Sequence, residues 1–372
     1  MDIPICAGVS YIEPMQLSLS TPLRLLVRQA LRQFTDPYRR YRHAKLIHAS
    51  RVAIGILASI ALTTGIHLPH GEWASITLLV VIGGLQHHGN IRKKAAERAL
   101  GTLIGASVGL ALILLEAWLH LPLLTYLLMA IACGVGGYYA IGKGGYIALL
   151  SAITLVIVAG HGDAEISDGL WRSADVLIGI AIALLFSFAL PLYATYSWRY
   201  KLSDSLRDCA RLYARIVGGL PLNDEEHQKI LTRQGAMLVQ LRSLMPSVAK
   251  EISVPSTELE AVQRGLRSIV GMLEMLSTSR LRDIDDVRRA RVRQALSGED
   301  RRIRELLIGM ARALKFGTLT RLEPLPPLHP PPPPPEAVSA EVERYVWVTA
   351  QLLEQIDSLR LSLAQLSHKW NI

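Results

Sequence analysis

Arg172 and Asp175 stand three residues apart in an otherwise apolar run, RSADVLIGIAIALLFSFALP. Ionisable side chains inside a membrane are costly and are paired or functional. At this helical spacing the two reach each other. They read either as a structural ion pair or as charges that attract an anion and couple to a proton. Arg98 opens a second apolar run, where its guanidinium meets an anionic solute or anchors to a lipid phosphate. Just before it lie Arg92, Lys93 and Lys94, and after it come Gly101, Gly105 and Gly109, four apart. Those glycines share one helix face, and such a row lets a neighbouring helix approach closely. Helix packing is the favoured reading, a solute path along the groove the alternative.

Other chemistries lack their residues. The stretch GYYAIGK, from Gly137 to Lys143, begins like a phosphate-binding loop, but Gly144 replaces the Ser or Thr that would hold magnesium and no strand precedes it. His87 and His88 are adjacent and share no helix face, so they read as an interfacial polar pair and not as a metal site. His67, His70, His120 and His161 fall in expected outer loops and titrate near neutral pH or are simply solvated. Glu72 and Glu116 fall at outer edges. Cys6, Cys133 and Cys209 are odd in number and scattered, without disulfide or metal spacing. No nucleophile–base pattern stands out. We therefore expect no enzyme, no catalytic residues, no cofactor and no metal.

The elements that carry these residues follow from hydropathy. The chain has 372 residues, half of them hydrophobic, with a formal charge of +9. Residues 49–193 are mostly apolar and residues 199–372 are charge-rich. About 20 apolar helical residues cross a bilayer core. Six such runs are expected, at 49–66, 73–86, 98–118, 122–140, 145–161 and 171–193. The connections RRYRHAKLIHASR, HHGNIRKKAAER, the one holding Lys143, and YSWRYKLSDSLR are basic; HLPHGE, EAWLHLP and GHGDAEISDG contain no Lys or Arg. This alternation puts the basic links and both termini in the cytoplasm. The positive balance is thereby explained by the membrane. No zinc spacing, basic zipper or RNA-binding aromatic motif supports a nucleic-acid partner. The first 20 residues lack a basic segment followed by an apolar core, so no secretory signal peptide is expected.

The fold class expected is all-α: a six-helix transmembrane bundle followed by a cytoplasmic helical domain. Residues 1–48 form a cytoplasmic segment, in which TPLRLLVRQALRQF reads as a basic amphipathic helix on the inner membrane surface or docked on protein. Residues 49–193 form the membrane domain and residues 194–323 the helical domain, with Asn223 and Thr257–Glu260 as helix-start signals. Residues 324–336 are a proline-rich spacer. Residues 337–372 form a last helix whose seam, Val342, Tyr345, Thr349, Leu352, Ile356, Leu359, Leu363, Leu366 and Trp370, folds back on the preceding helices.

The stretch GEWASITLLVVIGGLQHHGNIRKKAAERALGTLIGASVG resembles the signature region of the fusaric acid resistance family, bacterial inner-membrane proteins related to aromatic carboxylic acid exporters and, remotely, to plant malate channels. Trp73-Ala74, Thr77, Arg98, Gly101-Thr102 and Gly105 carry the resemblance, with a weaker match at Arg172, Asp175 and Gly179. It implies a proton-driven exporter of small organic or aromatic acids in the inner membrane. Trp73, Thr77, Arg98, Thr102 and Arg172 are then the substrate-binding residues and Asp175 the coupling residue. Arg92, Lys93 and Lys94 become a cationic entrance that concentrates anions. Trp73 stacks on an aromatic ring or sits in the aromatic belt. Larger members carry two membrane halves, so a homo-oligomer is implied here, and a periplasmic adaptor subunit is a further implied partner. An anion channel and a non-transporting scaffold with a partner-recruiting tail are the rival readings.

Overall fold

The computed structural model describes residues 36–82, 88–142, 144–160, 166–189, 191–218, 224–278, 296–323 and 340–370. The fold is all-α, without a strand among the described residues. In chain order the helices are α1 (Pro37–Arg42), α2 (Ala44–Gly65), α3 (Glu72–Ile82), α4 (His88–Leu119), α5 (Pro122–Ala140), α6 (Gly145–Ala159), α7 (Ile166–Ala189), α8 (Ala194–Gly218), α9 (Asp224–Glu251), α10 (Ser256–Thr278), α11 (Ser297–Phe316) and α12 (Ala340–Leu366). A 3-10 turn at Leu319–Leu322 follows α11.

Local chemistry sets the boundaries. Pro122 starts α5 at the first helical turn, where its missing N–H costs nothing. Gly160, at φ 60°, closes α6, and Gly317, at φ 72°, closes α11 in the left-handed conformation with its N–H on the Ala313 carbonyl at 2.8 Å. α4 begins ten residues earlier than hydropathy suggested. The residues between His88 and Arg98 include Ala, Lys, Arg and Glu, all strong helix formers, and Lys93 reaches Glu97 one turn on, at 3.5 Å. The basic segment is thus helix and not loop. With 32 residues α4 is about 48 Å long, so about three turns project beyond a ~30 Å hydrocarbon core.

α2, α4, α5 and α7 are long and apolar enough to cross a membrane; α3 and α6 are apolar but shorter, at 11 and 15 residues. α3 packs on α7 and α2, and α4 packs on α6 and α7. α5 touches α6 and α4 and exposes Leu123, Leu127, Ile131 and Val135. Exposed apolar side chains of that number suit a helix surrounded by hydrocarbon. The amphipathic helix expected at 21–34, the cap Asn223 and the proline spacer lie outside the described residues. α10 starts at Ser256, which puts Thr257 inside its first turn.

A second, larger core joins α8 to α12. Leu206, Tyr213, Leu259, Leu266, Ile303, Leu307, Leu352 and Leu363 lie in it, all shielded from solvent. α12 lays Tyr345, Thr349, Leu352, Ile356, Leu359, Leu363 and Leu366 inward and packs on α10 and α11. Buried polar groups tie the helices together. Arg199 donates to the carbonyls of Leu314 and Trp370, both at 3.1 Å. Ser203 donates to the Ala311 carbonyl at 2.6 Å, and Arg360 to that of Leu322 at 2.6 Å. Tyr213 donates to Asp300 at 2.5 Å; burial and that carboxylate push its phenol well above the ordinary range.

The two halves meet at Glu251, the last residue of α9. Its Oε1 accepts from the backbone N–H of Gly89 (3.1 Å) and of Ala194 (2.9 Å). Its Oε2 accepts from the Thr195 N–H and hydroxyl, both at 2.8 Å. One carboxylate therefore satisfies donors at the starts of α4 and α8, where helix N-termini favour negative charge.

Candidate functional site

The apolar bundle holds a set of buried polar side chains, and packing fixes their order in depth. We call the end next to α8 proximal and the other end distal. On α2 and α3, Gly71 packs against Thr63, Ser75 donates to Ser59 at 3.0 Å, and Gly55 packs against Leu78. The two helices are therefore antiparallel. α3 and α7 run parallel: a Cβ on Gly179 would run into the Ala74 carbonyl and lie 2.9 Å from the Thr77 Cβ. α4 and α6 also run parallel. A Cβ at Gly101 would lie 2.7 Å from Leu150, one at Gly105 would meet the Ser151 carbonyl and Thr154, and one at Gly109 would lie 2.9 Å from Val158. The glycine row thus faces α6 of the same chain.

At the centre, Arg98 is 3% exposed and Thr77 fully buried; the guanidinium donates to the Thr77 hydroxyl over 3.4 Å, and its Nε has no partner. Burial at this depth is inconsistent with an anchor to lipid phosphate. Tyr146 of α6 is within electrostatic reach of Arg98, and its hydroxyl is unpartnered. Thr102, one turn along α4, and Thr154 of α6 are buried with unpartnered hydroxyls. Asp175 lies one turn distal of Gly179, about 6 Å from the Thr77 level. It is fully buried and neither carboxylate oxygen has a hydrogen-bond partner.

The expected pairing of Arg172 with Asp175 is not formed. Arg172 turns to α6 and donates to the Ile157 carbonyl at 2.5 Å, which a backbone acceptor on the neighbouring helix makes available. Asp175 stays unbonded, and distal of it Glu72 and His70 close that end of the bundle. There His70, at φ 59°, lies 3.5 Å from Asp168 and 3.8 Å from Glu72. Trp73 is half-buried against the α3–α7 core.

The basic residues of α4 lie proximal to Arg98 and each finds company. Arg92 covers the Phe188 ring at 5.2 Å, Lys94 the Tyr146 ring at 5.1 Å, and Lys93 pairs with Glu97. His87 and Lys143 lie outside the described residues. Among the described residues no group of three metal-ligating side chains converges.

One residue was passed over by the sequence reading. Arg51 was counted with the cations ahead of the first apolar run, yet it is 1% exposed, inside α2. Its Nη2 lies 3.0 Å from His48 Nδ1 and its Nε has no partner. The signal available was spacing: Arg51, Gly55, Ser59 and Thr63 recur every four residues and are the buried residues of α2, none of them apolar.

What the arrangement can do is bind an anion. Two guanidiniums lie inside an apolar bundle, neither paired with a carboxylate among the described residues, with unpartnered hydroxyls beside one of them. A guanidinium presents a planar fork that fits a carboxylate with two parallel hydrogen bonds.

The profile of the fusaric acid resistance protein family matches residues 45–369. The chain is 34% identical over 239 residues to "Inner membrane protein YeeA" of Escherichia coli strain K12, covering 63% of this chain and 66% of that protein. It is 33% identical over 159 residues to "p-hydroxybenzoic acid efflux pump subunit AaeB" of Escherichia coli O9:H4 strain HS, covering 36% of this chain and 23% of that protein. The aligned stretches span just under two thirds of the first relative and about a quarter of the second.

Proposed function

The chain belongs to the fusaric acid resistance protein family, and from that membership we propose that it is an inner-membrane secondary transporter that exports small organic acids, aromatic carboxylates among them, coupled to protons. The observation that carries the proposal is Arg98: a buried guanidinium whose partner is a hydroxyl and not a carboxylate. A membrane protein that keeps such a cation keeps it for an anion. The relative named as a p-hydroxybenzoic acid efflux pump subunit supports the substrate class.

In this reading all six apolar helices span, with the proximal end and both termini in the cytoplasm. Arg92, Lys93 and Lys94 raise the local concentration of carboxylates at the cytoplasmic mouth. The solute carboxylate docks on Arg98, with Thr77 and Thr102 donating beside it, and Trp73 and Arg172 line the way out. Asp175 is the proton-coupling group. It is buried without a hydrogen-bond partner, about one turn along the bundle from the Thr77 level, and its gain and loss of a proton alternate with solute binding in this reading. Assembly with a second copy and with a periplasmic adaptor belongs to the same proposal.

The test is uptake of labelled para-hydroxybenzoate into everted membrane vesicles under an imposed pH gradient. Vesicles with the full chain are expected to accumulate the label, and those with Arg98→Gln at matched expression to fall to background. Equal uptake with and without the protein would overturn the reading.

A further inference from the structure

The transport reading uses one buried guanidinium, and the bundle holds a second. Arg51 lies at the proximal end of the buried row of α2, followed by Gly55, Ser59 and Thr63. This row is the fully buried face of an otherwise apolar helix, with Val52 and Ile56 packed beside it on the apolar core. Leu57, Ile60 and Leu62 of that helix face away from the protein, and its polar groups line the interior. Ser59 bonds to Ser75 of α3, and Gly55 lets Leu78 of α3 and Phe186 of α7 close over the helix. The row thus places Arg51 at its proximal end and Ser59 and Thr63 distally, with Leu78 and Phe186 closing over Gly55 between them.

Arg51 has no negative partner in that row among the described residues. His48 Nδ1, at 3.0 Å, accepts as a neutral imidazole and supplies no charge. Nε is buried and unbonded. Arg98 has the same signature: buried, held by a neutral acceptor, Nε unbonded. In depth Arg51 lies one helical turn proximal of Gly55, which packs at the Leu78 level, whereas Arg98 reaches Thr77. The Arg51 guanidinium, held at His48, therefore lies proximal of the level at which Arg98 meets Thr77.

We propose that Arg51 is a second anion-binding residue, which takes the carboxylate of an organic acid at the proximal end of the α2 polar row before it reaches Arg98. The inference rests on the transport reading for its direction and on the geometry of α2 for its site. A lipid phosphate offers the same chemistry; the α2 row must open for either anion to reach a side chain 1% exposed, and the experiment separates the two.

The experiment measures equilibrium binding of para-hydroxybenzoate to the full-length protein in detergent, with and without added anionic phospholipid, for wild type, Arg51→Lys, Arg51→Gln and Arg98→Gln. Arg51→Gln is expected to weaken binding about ten-fold or more, the worth of one charge-assisted hydrogen bond. Arg51→Lys retains most of it, and melting temperatures stay together. In vesicles the same change raises KM and leaves kcat within a few-fold. A packing role alone would lower the melting temperature without rescue by Lys. Should Arg51→Gln not fold, protection of wild-type Arg51 from phenylglyoxal by para-hydroxybenzoate, read by mass spectrometry, decides the matter without a variant. Wild-type affinity in Arg51→Gln, competition by the anionic lipid, or absence of protection overturns the proposal. Binding lost in Arg98→Gln but kept in Arg51→Gln sinks this inference alone. Binding that depends on Arg51 in a protein with no flux sinks the transport reading alone.

Discussion

The two cores differ in how many buried polar groups they leave unbonded: both leave some, Arg199 Nε and Trp370 Nε1 among them, and the α2–α7 bundle leaves more. In the α8–α12 core Arg199 holds two backbone carbonyls, Arg360 holds Asp357 and a carbonyl, and Tyr213 meets Asp300. In the α2–α7 bundle Arg51 and Arg98 each have one neutral acceptor, and Asp175 has none. Unmet hydrogen bonds cost more where water is absent. The half that faces the greater penalty therefore leaves more of them open. A bonded buried group holds helices together; an unbonded one waits for something that comes and goes.

That contrast predicts which measurement each substitution moves. The largest effect is expected at Arg199. Arg199→Ala removes two charge-assisted bonds from the α8–α12 core and lowers stability by about 3 kcal/mol, seen as an earlier melt, with flux per folded molecule unchanged. Arg98→Gln should do the reverse: flux down about 100-fold, worth about 2.7 kcal/mol in the barrier, with the melt unmoved. If Arg98→Gln destabilised the protein as much as Arg199→Ala, the contrast would be wrong. Asp175→Asn removes a buried carboxylate with nothing to bond it. Flux is expected to fall about ten-fold and lose its dependence on pH, as expected when a titrating group sets the step, while thermal stability holds because one unbonded polar side chain replaces another of the same shape. The smallest effect sharpens the α8–α12 side. Cys209 is fully enclosed, and burial pushes its thiol up to about 12. Only the thiolate attacks, so maleimide should leave Cys209 unlabelled at pH 8 until denaturant is added.

Much of this fold was legible because water and hydrocarbon impose period and length on a sequence. The apolar runs, the seam from Tyr345 to Trp370 and the all-α class follow from spacing alone. Three things did not. The start of α4 was hidden because Arg92, Lys93 and Lys94 read as a loop by charge, although their helix propensity argued otherwise. Arg172 turned from its neighbour in sequence to the Ile157 carbonyl, an acceptor that exists only once α6 and α7 pack. Arg51 stood at the edge of an apolar run, and which way it points depends on α3 and α7 closing over Gly55. Side-chain type marked Arg98 and Asp175 for attention; their lack of partners is a tertiary fact that no spacing encodes.

The Glu251 carboxylate has a mechanical consequence. It grips Gly89 and Ala194 at once, so the last turn of α9 is a common pivot for α4 and α8. From Gly89 to Arg98 runs about 13 Å of unbroken helix, stiff over that distance. A tilt of the α8–α12 bundle would therefore be carried along α4 as by a lever, and Arg98 would shift with it.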